Sequence, residues 1–158
     1  MNLRIENLTK RKLIGQRMRM SLAENRTLEL WQSFMPRLGE IANRVNNDKI
    51  SLQIYDDASR IGDFAQTFEK WAAVEVADFE NVPEDFETFI LQGGLYAVFD
   101  YKGSSLDHRI FIYIFTEWLP ASGYELDARP HFEVLGEKYK NADPDSEEEI
   151  WIPIKPKS

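Results

Sequence analysis

Apolar and polar side chains alternate from Leu13 to Leu22, in the stretch LIGQRMRMSL. Ile14, Met18, Met20 and Leu22 fall on one face; Arg17, Arg19 and Ser21 fall on the other. A period of two predicts a half-buried strand. The period then changes. Leu28, Leu30, Trp31, Phe34 and Met35 recur at helical spacing behind Asn25 and Thr27, both suited to an N-cap, so a helix is expected there. Pro36 should end or kink it. Leu38, Ile41 and Val45 predict a second helical piece over 38–45, before the turn signal Asn46-Asn47-Asp48. Further strands are expected at 50–55, 68–79, 95–102, 131–136 and 149–154. A helix with Ile110, Ile114, Phe115 and Trp118 on its apolar side should run from the cap at Gly103-Ser104-Ser105 to a stop at Pro120 and Gly123.

The two halves rhyme. Met35-Pro36-Arg37-Leu38-Gly39 and Leu119-Pro120-Ala121-Ser122-Gly123 share the pattern x-Pro-x-x-Gly after an aromatic helix end, and each half reads strand, helix, strand, strand. The expected fold class is α+β: a duplicated strand-helix-strand-strand (SHS2-type) repeat with antiparallel sheets, helices and a central cleft between the repeats. The pseudo-repeats would cover about 8–80 and 92–156 of a single domain over 1–158. Ligand sites favour such seams.

Composition narrows the function classes. A chain of 158 residues with 43% hydrophobic and 13% aromatic content suits one packed domain. No cysteine is present, which excludes disulfides and thiolate zinc sites. The N-terminal MNLRIENLTKRK lacks an apolar run and no window approaches a membrane span, so a cytoplasmic protein without membrane contact is expected. A net charge of -8 disfavours direct nucleic-acid binding. The basic cluster Lys10, Arg11, Lys12, Arg17 and Arg19 reads as a solvated strand face. An acidic surface steers cationic small molecules.

Familiar catalytic patterns are missing. No Gly-x-Ser-x-Gly surrounds a serine, and His108 and His131 support no nucleophile triad. The acidic run Asp143, Asp145, Glu147, Glu148 and Glu149 lacks the glycine and closing glutamate of a calcium loop and reads as a solvated loop. Gln92-Gly93-Gly94-Leu95 precedes a strand, as a turn rather than a phosphate cradle. No metal and no cofactor are expected. The last strand stands out instead. Ile150, Ile152 and Ile154 take one face, and Glu149, Trp151 and Pro153 the other. A carboxylate beside an indole costs several kcal/mol to bury unless a partner is supplied. A cationic ligand is one such partner, and each ring adds roughly 0.5 to 2 kcal/mol of attraction. The alternative is a solvated Glu149 beside an ordinary core Trp151. Trp71 and Glu75 repeat the device, and Trp118, Tyr113, Tyr96 and Phe99 are expected near the same seam. These eight residues form the candidate ligand-binding set.

Four stretches carry a resemblance: GLYAVFDYKG (94–103), WLPASGYEL (118–126), RPHFE (129–133) and DPDSEEEIWIPIK (143–155). In order and spacing they resemble the GyrI-like family, the effector-binding domain of AraC- and MerR-type transcription activators. The first half is similar more loosely, through Leu30-Trp31, Pro36 and Trp71-Ala72-Ala73. The resemblance implies an aromatic-lined cleft between two repeats that takes bulky, often cationic and lipophilic compounds. It maps the family's carboxylate onto Glu149 and its usual tyrosine onto Trp151. An indole cannot accept a hydrogen bond, so this departure disfavours hydrolysis more than cation binding. With all 158 residues consumed by the repeats, no helix-turn-helix is expected in the chain. The first expectation is therefore a standalone protein that sequesters or senses a lipophilic, cationic, drug-like ligand. The alternatives are a hydrolase of cyclopropanoid compounds with Glu149 as the catalytic base, and a gyrase-inhibitor-like interaction module. A protein partner, either a transcription regulator or gyrase, is left open.

Overall fold

A computed structural model describes residues 2–158. Nine strands and a few helical segments follow one another: β1 (Leu3–Leu8), β2 (Arg11–Ser21), α1 (Thr27–Phe34), a 3-10 turn (Met35–Glu40), β3 (Lys49–Tyr55), β4 (Thr67–Val76), β5 (Glu87–Leu91) and β6 (Gly94–Lys102). Then come α2 (Arg109–Tyr113), a π-helical turn (Ile114–Trp118), α3 (Leu119–Ala121), β7 (Tyr124–Leu126), β8 (His131–Leu135) and β9 (Glu147–Pro156). All strand pairs are antiparallel, in the order β1-β6-β9-β8-β3-β4-β2-β5, with β7 against β9. The fold is α+β, as the patterning indicates.

Pairing runs the same way on both sides of the β3–β8 contact: β3-β4-β2 on one side, β8-β9-β6 on the other. The two outermost strands cross over. β1 precedes β2 but pairs with β6, and β5 precedes β6 but pairs with β2. Neither was expected from the sequence pattern; both are edge strands whose residues are largely exposed or half-buried, and the alternation of β1 is confined to Leu3-Arg4-Ile5-Glu6.

Local chemistry explains most boundaries. The N-cap of α1 is Arg26, which makes no side-chain cap bond, rather than the expected Asn25 or Thr27; Asn25 Oδ1 accepts the Thr27 backbone N–H at 2.9 Å in the turn that leads into the helix. Pro36 stands at the head of the 3-10 turn. The helix expected over 38–45 does not follow. Ile41 is already extended, the Val45 N–H donates to Glu75 O at 3.1 Å, and Arg44 bridges Val76. That segment satisfies its backbone against β4 instead of winding. β4 ends at Val76, short of the expected 79.

Both helical segments lie on one face of the sheet. Leu30, Phe34 and Ile41 pack on Ile14, Ala72, Val74 and Val76; Ile110 and Ile114 pack on Ala97, Phe99, Ile150, Ile152 and Ile154. The other face bears no helix. It is buried by the curl of the sheet itself, around Leu13, Leu52, Trp71, Leu91, Tyr96, Val98, Phe132 and Trp151. Between the two helical layers, the central strands β3 and β8 turn a strip of side chains toward the helix-bearing side. Among the described residues no helix is long and apolar enough to cross a membrane.

Candidate functional site

The strip between the helices is polar where its flanks are apolar. On β3, Ser51, Gln53 and Tyr55 share the helix-bearing side; on β8, His131 and Glu133 do. Gln53 stands opposite His131 on one neighbour and Lys70 on the other, and Ser51 opposite Glu133. Glu133 in turn stands opposite Ile150 of β9, which puts Glu148 one pleat along on the same side. A small cleft of about 20 Å³ opens here, lined by Gln53, Tyr55, His131, Phe132 and Glu133 from β3 and β8, Phe111 and Phe115 from the α2 segment, and Ile150, Trp151 and Ile152 of β9.

Three ionisable groups are buried at this strip: Lys70, His131 and Glu148. Lys70 Nζ donates to Gln53 Oε1 at 2.5 Å and has no carboxylate within 4.0 Å among the described residues. Burial pushes its pKa down, against the opposing charges of Glu133 and Glu148. Glu148 is pushed far above the carboxylate range, first by burial, then by the charge of Glu133 and hydrogen bonding with it; Lys70 opposes the shift. Burial, helped by Arg129, lowers His131 to about 3, so the ring is neutral. Burial and then Glu133 raise Tyr55 to about 12, leaving a neutral phenol. Two buried atoms, His131 Nε2 and Glu148 Oε2, have no hydrogen-bond partner among the described residues. An unpaired buried polar atom is costly unless something else occupies it. The cleft thus offers aromatic walls, the Glu133 carboxyl and the unspent hydrogen-bonding capacity of His131, with the buried Glu148 carboxyl one pleat from Glu133. No group of three or more metal-ligating side chains occurs among the described residues.

Of the candidate set from the sequence, Trp151 lines this cleft, through β9, and the other seven are not among the residues that line it. Glu149 projects from the helix-free face, where Arg4 Nη2 binds Oε2 at 2.9 Å and the Trp151 indole N–H binds Oε1 at 3.0 Å. Trp151 stacks on Phe132 with ring centroids 5.1 Å apart. Tyr96 shares that face and donates its hydroxyl to Pro130 O at 2.7 Å. Trp71 lies there too, bonded to Glu69, and Glu75 pairs with Arg11 at 3.1 Å. Phe99 and Trp118 do meet on the helix-bearing side, edge to face at 5.2 Å, but beneath α2 rather than in the strip. Tyr113 is exposed beside Trp118 and Glu117 in a separate surface depression. The alternation in β9 pairs Glu149 with Trp151 as expected. However, α2 docks on the isoleucine side, so the cleft opens on the opposite side of the strand.

Glu133, Lys70, Gln53 and Tyr55 carry no motif in the sequence, His131 carries no triad, and the solvated loop expected over the acidic run gives way to β9 from Glu147, with Glu148 buried. One signal was available. Glu148 has the parity of Ile150, Ile152 and Ile154, so it is a carboxyl at the end of an otherwise apolar face.

Residues 1–155 match the GyrI-like small molecule binding domain. The chain belongs to the GyrI-like family. Transcriptional regulator BrlR of Pseudomonas aeruginosa is 30% identical over 128 residues, covering 80% of this chain and 45% of BrlR. This GyrI-like chain therefore spans less than half the length of that relative. Among solved structures, the EcmrR C-terminal domain superposes with a TM-score of 0.71 at 16% identity, covering 99% of this chain and 98% of that one. SAV2435 bound to tetraphenylphosphonium superposes with a TM-score of 0.69 at 16% identity, covering 98% and 94%. At these identities the structures share the GyrI-like fold.

Proposed function

We propose that this GyrI-like domain binds a lipophilic organic cation in the cleft over β3 and β8, and thereby sequesters or senses it. The observation that carries this reading is a carboxyl pair at the strip: Glu133 lines the aromatic-walled cleft, and Glu148, one pleat along on β9, is buried with a free Oε2. A cation would supply the missing partner, and Phe111, Phe115 and Tyr55 would supply ring faces. The tetraphenylphosphonium held by SAV2435 supports the same ligand class. In this reading the halves of the sheet are two copies of one strand-helix-strand-strand unit, and the cleft is their seam. Its volume of about 20 Å³ is far below that of a drug-sized site, so this reading requires Phe111 and Phe115 to swing outward on binding. The binding carboxyls are Glu148 and Glu133, and Glu149 is not among them.

Thermal shift and titration calorimetry with tetraphenylphosphonium and rhodamine dyes test this. Stabilisation that is lost in Glu148→Gln but kept in Glu149→Gln is expected. Equal binding by wild type and Glu148→Gln would overturn the assignment.

The carboxyl pair also favours a second reading, hydrolysis of an electrophilic compound. Glu148, held protonated, would act as general acid, and Glu133 would direct a water. Mass spectrometry after incubation with a cyclopropanoid electrophile decides; absence of turnover removes it.

A further inference from the structure

Glu133 and Glu148 reach the same side of adjacent strands, one pleat apart, and Glu133 lines the cleft walled by Phe111, Phe115 and Ile152. Two carboxylates this close in a poorly hydrated site do not both ionise without a cation between them. The surrounding groups supply little neutralisation. Lys70 from β4 is the one cation facing Glu148, and its amine is held by Gln53 rather than by a carboxylate. Tyr101 from β6 and Tyr139 from the loop after β8 face Glu148, and Tyr55 from β3 faces Glu133; all three are neutral phenols. His131 on β8 is neutral as well. A proton is the remaining neutraliser of the empty pair.

We propose that an organic cation enters the cleft in exchange for the proton shared by Glu133 and Glu148, which makes the site a cation–proton exchanger rather than a fixed anion. The inference rests on the cation-binding reading above. On entry the carboxyl O–H bond breaks, the proton passes to water, and the cation takes its place, so the charge of the cleft is unchanged. Affinity for a permanent cation then rises with pH, by up to about tenfold per pH unit where exchange is complete. A neutral ligand of similar shape, such as triphenylphosphine oxide, gains nothing from the same change in pH.

Calorimetric titration of the full chain with tetraphenylphosphonium at one pH, in phosphate and in Tris, counts the protons from the difference in buffer ionisation heats. Release of about 0.5 to 1 proton per cation is expected. Near-zero release, with weaker binding, is expected for Glu148→Gln. Binding without proton release by the wild type overturns the exchange and leaves the cation site standing; no binding overturns both. Carboxyl ¹³C NMR of the ligand-free wild type gives an arm independent of ligand and variant. One protonated carboxyl in the pair at neutral pH is expected, and two ionised carboxylates overturn the exchange.

Discussion

Trp151 donates its indole N–H to Glu149 Oε1 at 3.0 Å, along one strand on the helix-free face of the sheet. Trp71 does the same to Glu69 at 2.6 Å on β4. Each glutamate also binds an arginine, Arg4 on Glu149 and Arg17 on Glu69, both at 2.9 Å. Each guanidinium sits 6.0 Å from the matching indole ring. β4 and β9 hold equivalent places in the two halves of the sheet. A Glu-x-Trp device that occurs twice with the same partners ties sheet edges to the interior, and needs no ligand to satisfy it.

Substitutions there should separate stability from binding. Glu149→Gln is expected to leave tetraphenylphosphonium affinity within about twofold, since a half-exposed ion pair contributes roughly 0 to 1 kcal/mol and lies across the sheet from the cleft. Trp151→Ala should cost about 3 to 5 kcal/mol in urea unfolding, because it empties the centre of a packed cluster.

Glu148→Gln should make the protein more stable at neutral and alkaline pH while weakening cation binding by about tenfold or more. The folded pKa of Glu148 is raised, so the stability it allows is fully present below the ordinary carboxylate value of 4.5 and is lost as pH rises toward the raised one. The gain of the variant over wild type should therefore grow from mildly acidic to alkaline pH. Urea midpoints across pH measure it; a constant difference would contradict the assignment.

His131 acts on the acid side. Its folded pKa lies near 3 and its ordinary value is 6.5, so its contribution is present above 6.5 and is lost as pH falls toward 3. It should add a slope of up to about 1.4 kcal/mol per pH unit in that window. His131→Phe should flatten the acid limb in the same urea series.

Gly15→Ala tests how closely β2 and β4 approach. An added Cβ would sit 2.2 Å from Ala72 O and 2.7 Å from Ala73 Cβ, and neither atom can rotate away. A loss of about 1 to 3 kcal/mol is expected by thermal unfolding.

Much of the fold was legible along the chain, because strand and helix periods depend only on which neighbours are apolar. β2, β3, β6, β8 and α1 follow from alternation and helical spacing. β1 and β5 were not anticipated: in β1 the alternation covers only Leu3-Arg4-Ile5-Glu6, and in β5 Phe89, Ile90 and Leu91 are consecutive rather than alternating. Family membership, too, could be read from the spacing of short motifs in the second half.

By itself, the sequence determined that Glu149 and Trp151 share one side of the last strand, and that Glu148 shares the other with Ile150, Ile152 and Ile154. Only the tertiary structure decided which side faces the cleft. A strand's period of two sorts its residues into two sets, but it carries no sign for the direction from which a helix will pack. Docking of α2 on the isoleucines supplied that sign. Strand pairing did the rest: β9 against β8 brought Glu148 beside Glu133, which lies fifteen residues earlier in the chain, and β8, β3 and β4 brought it within electrostatic reach of Lys70, seventy-eight residues earlier.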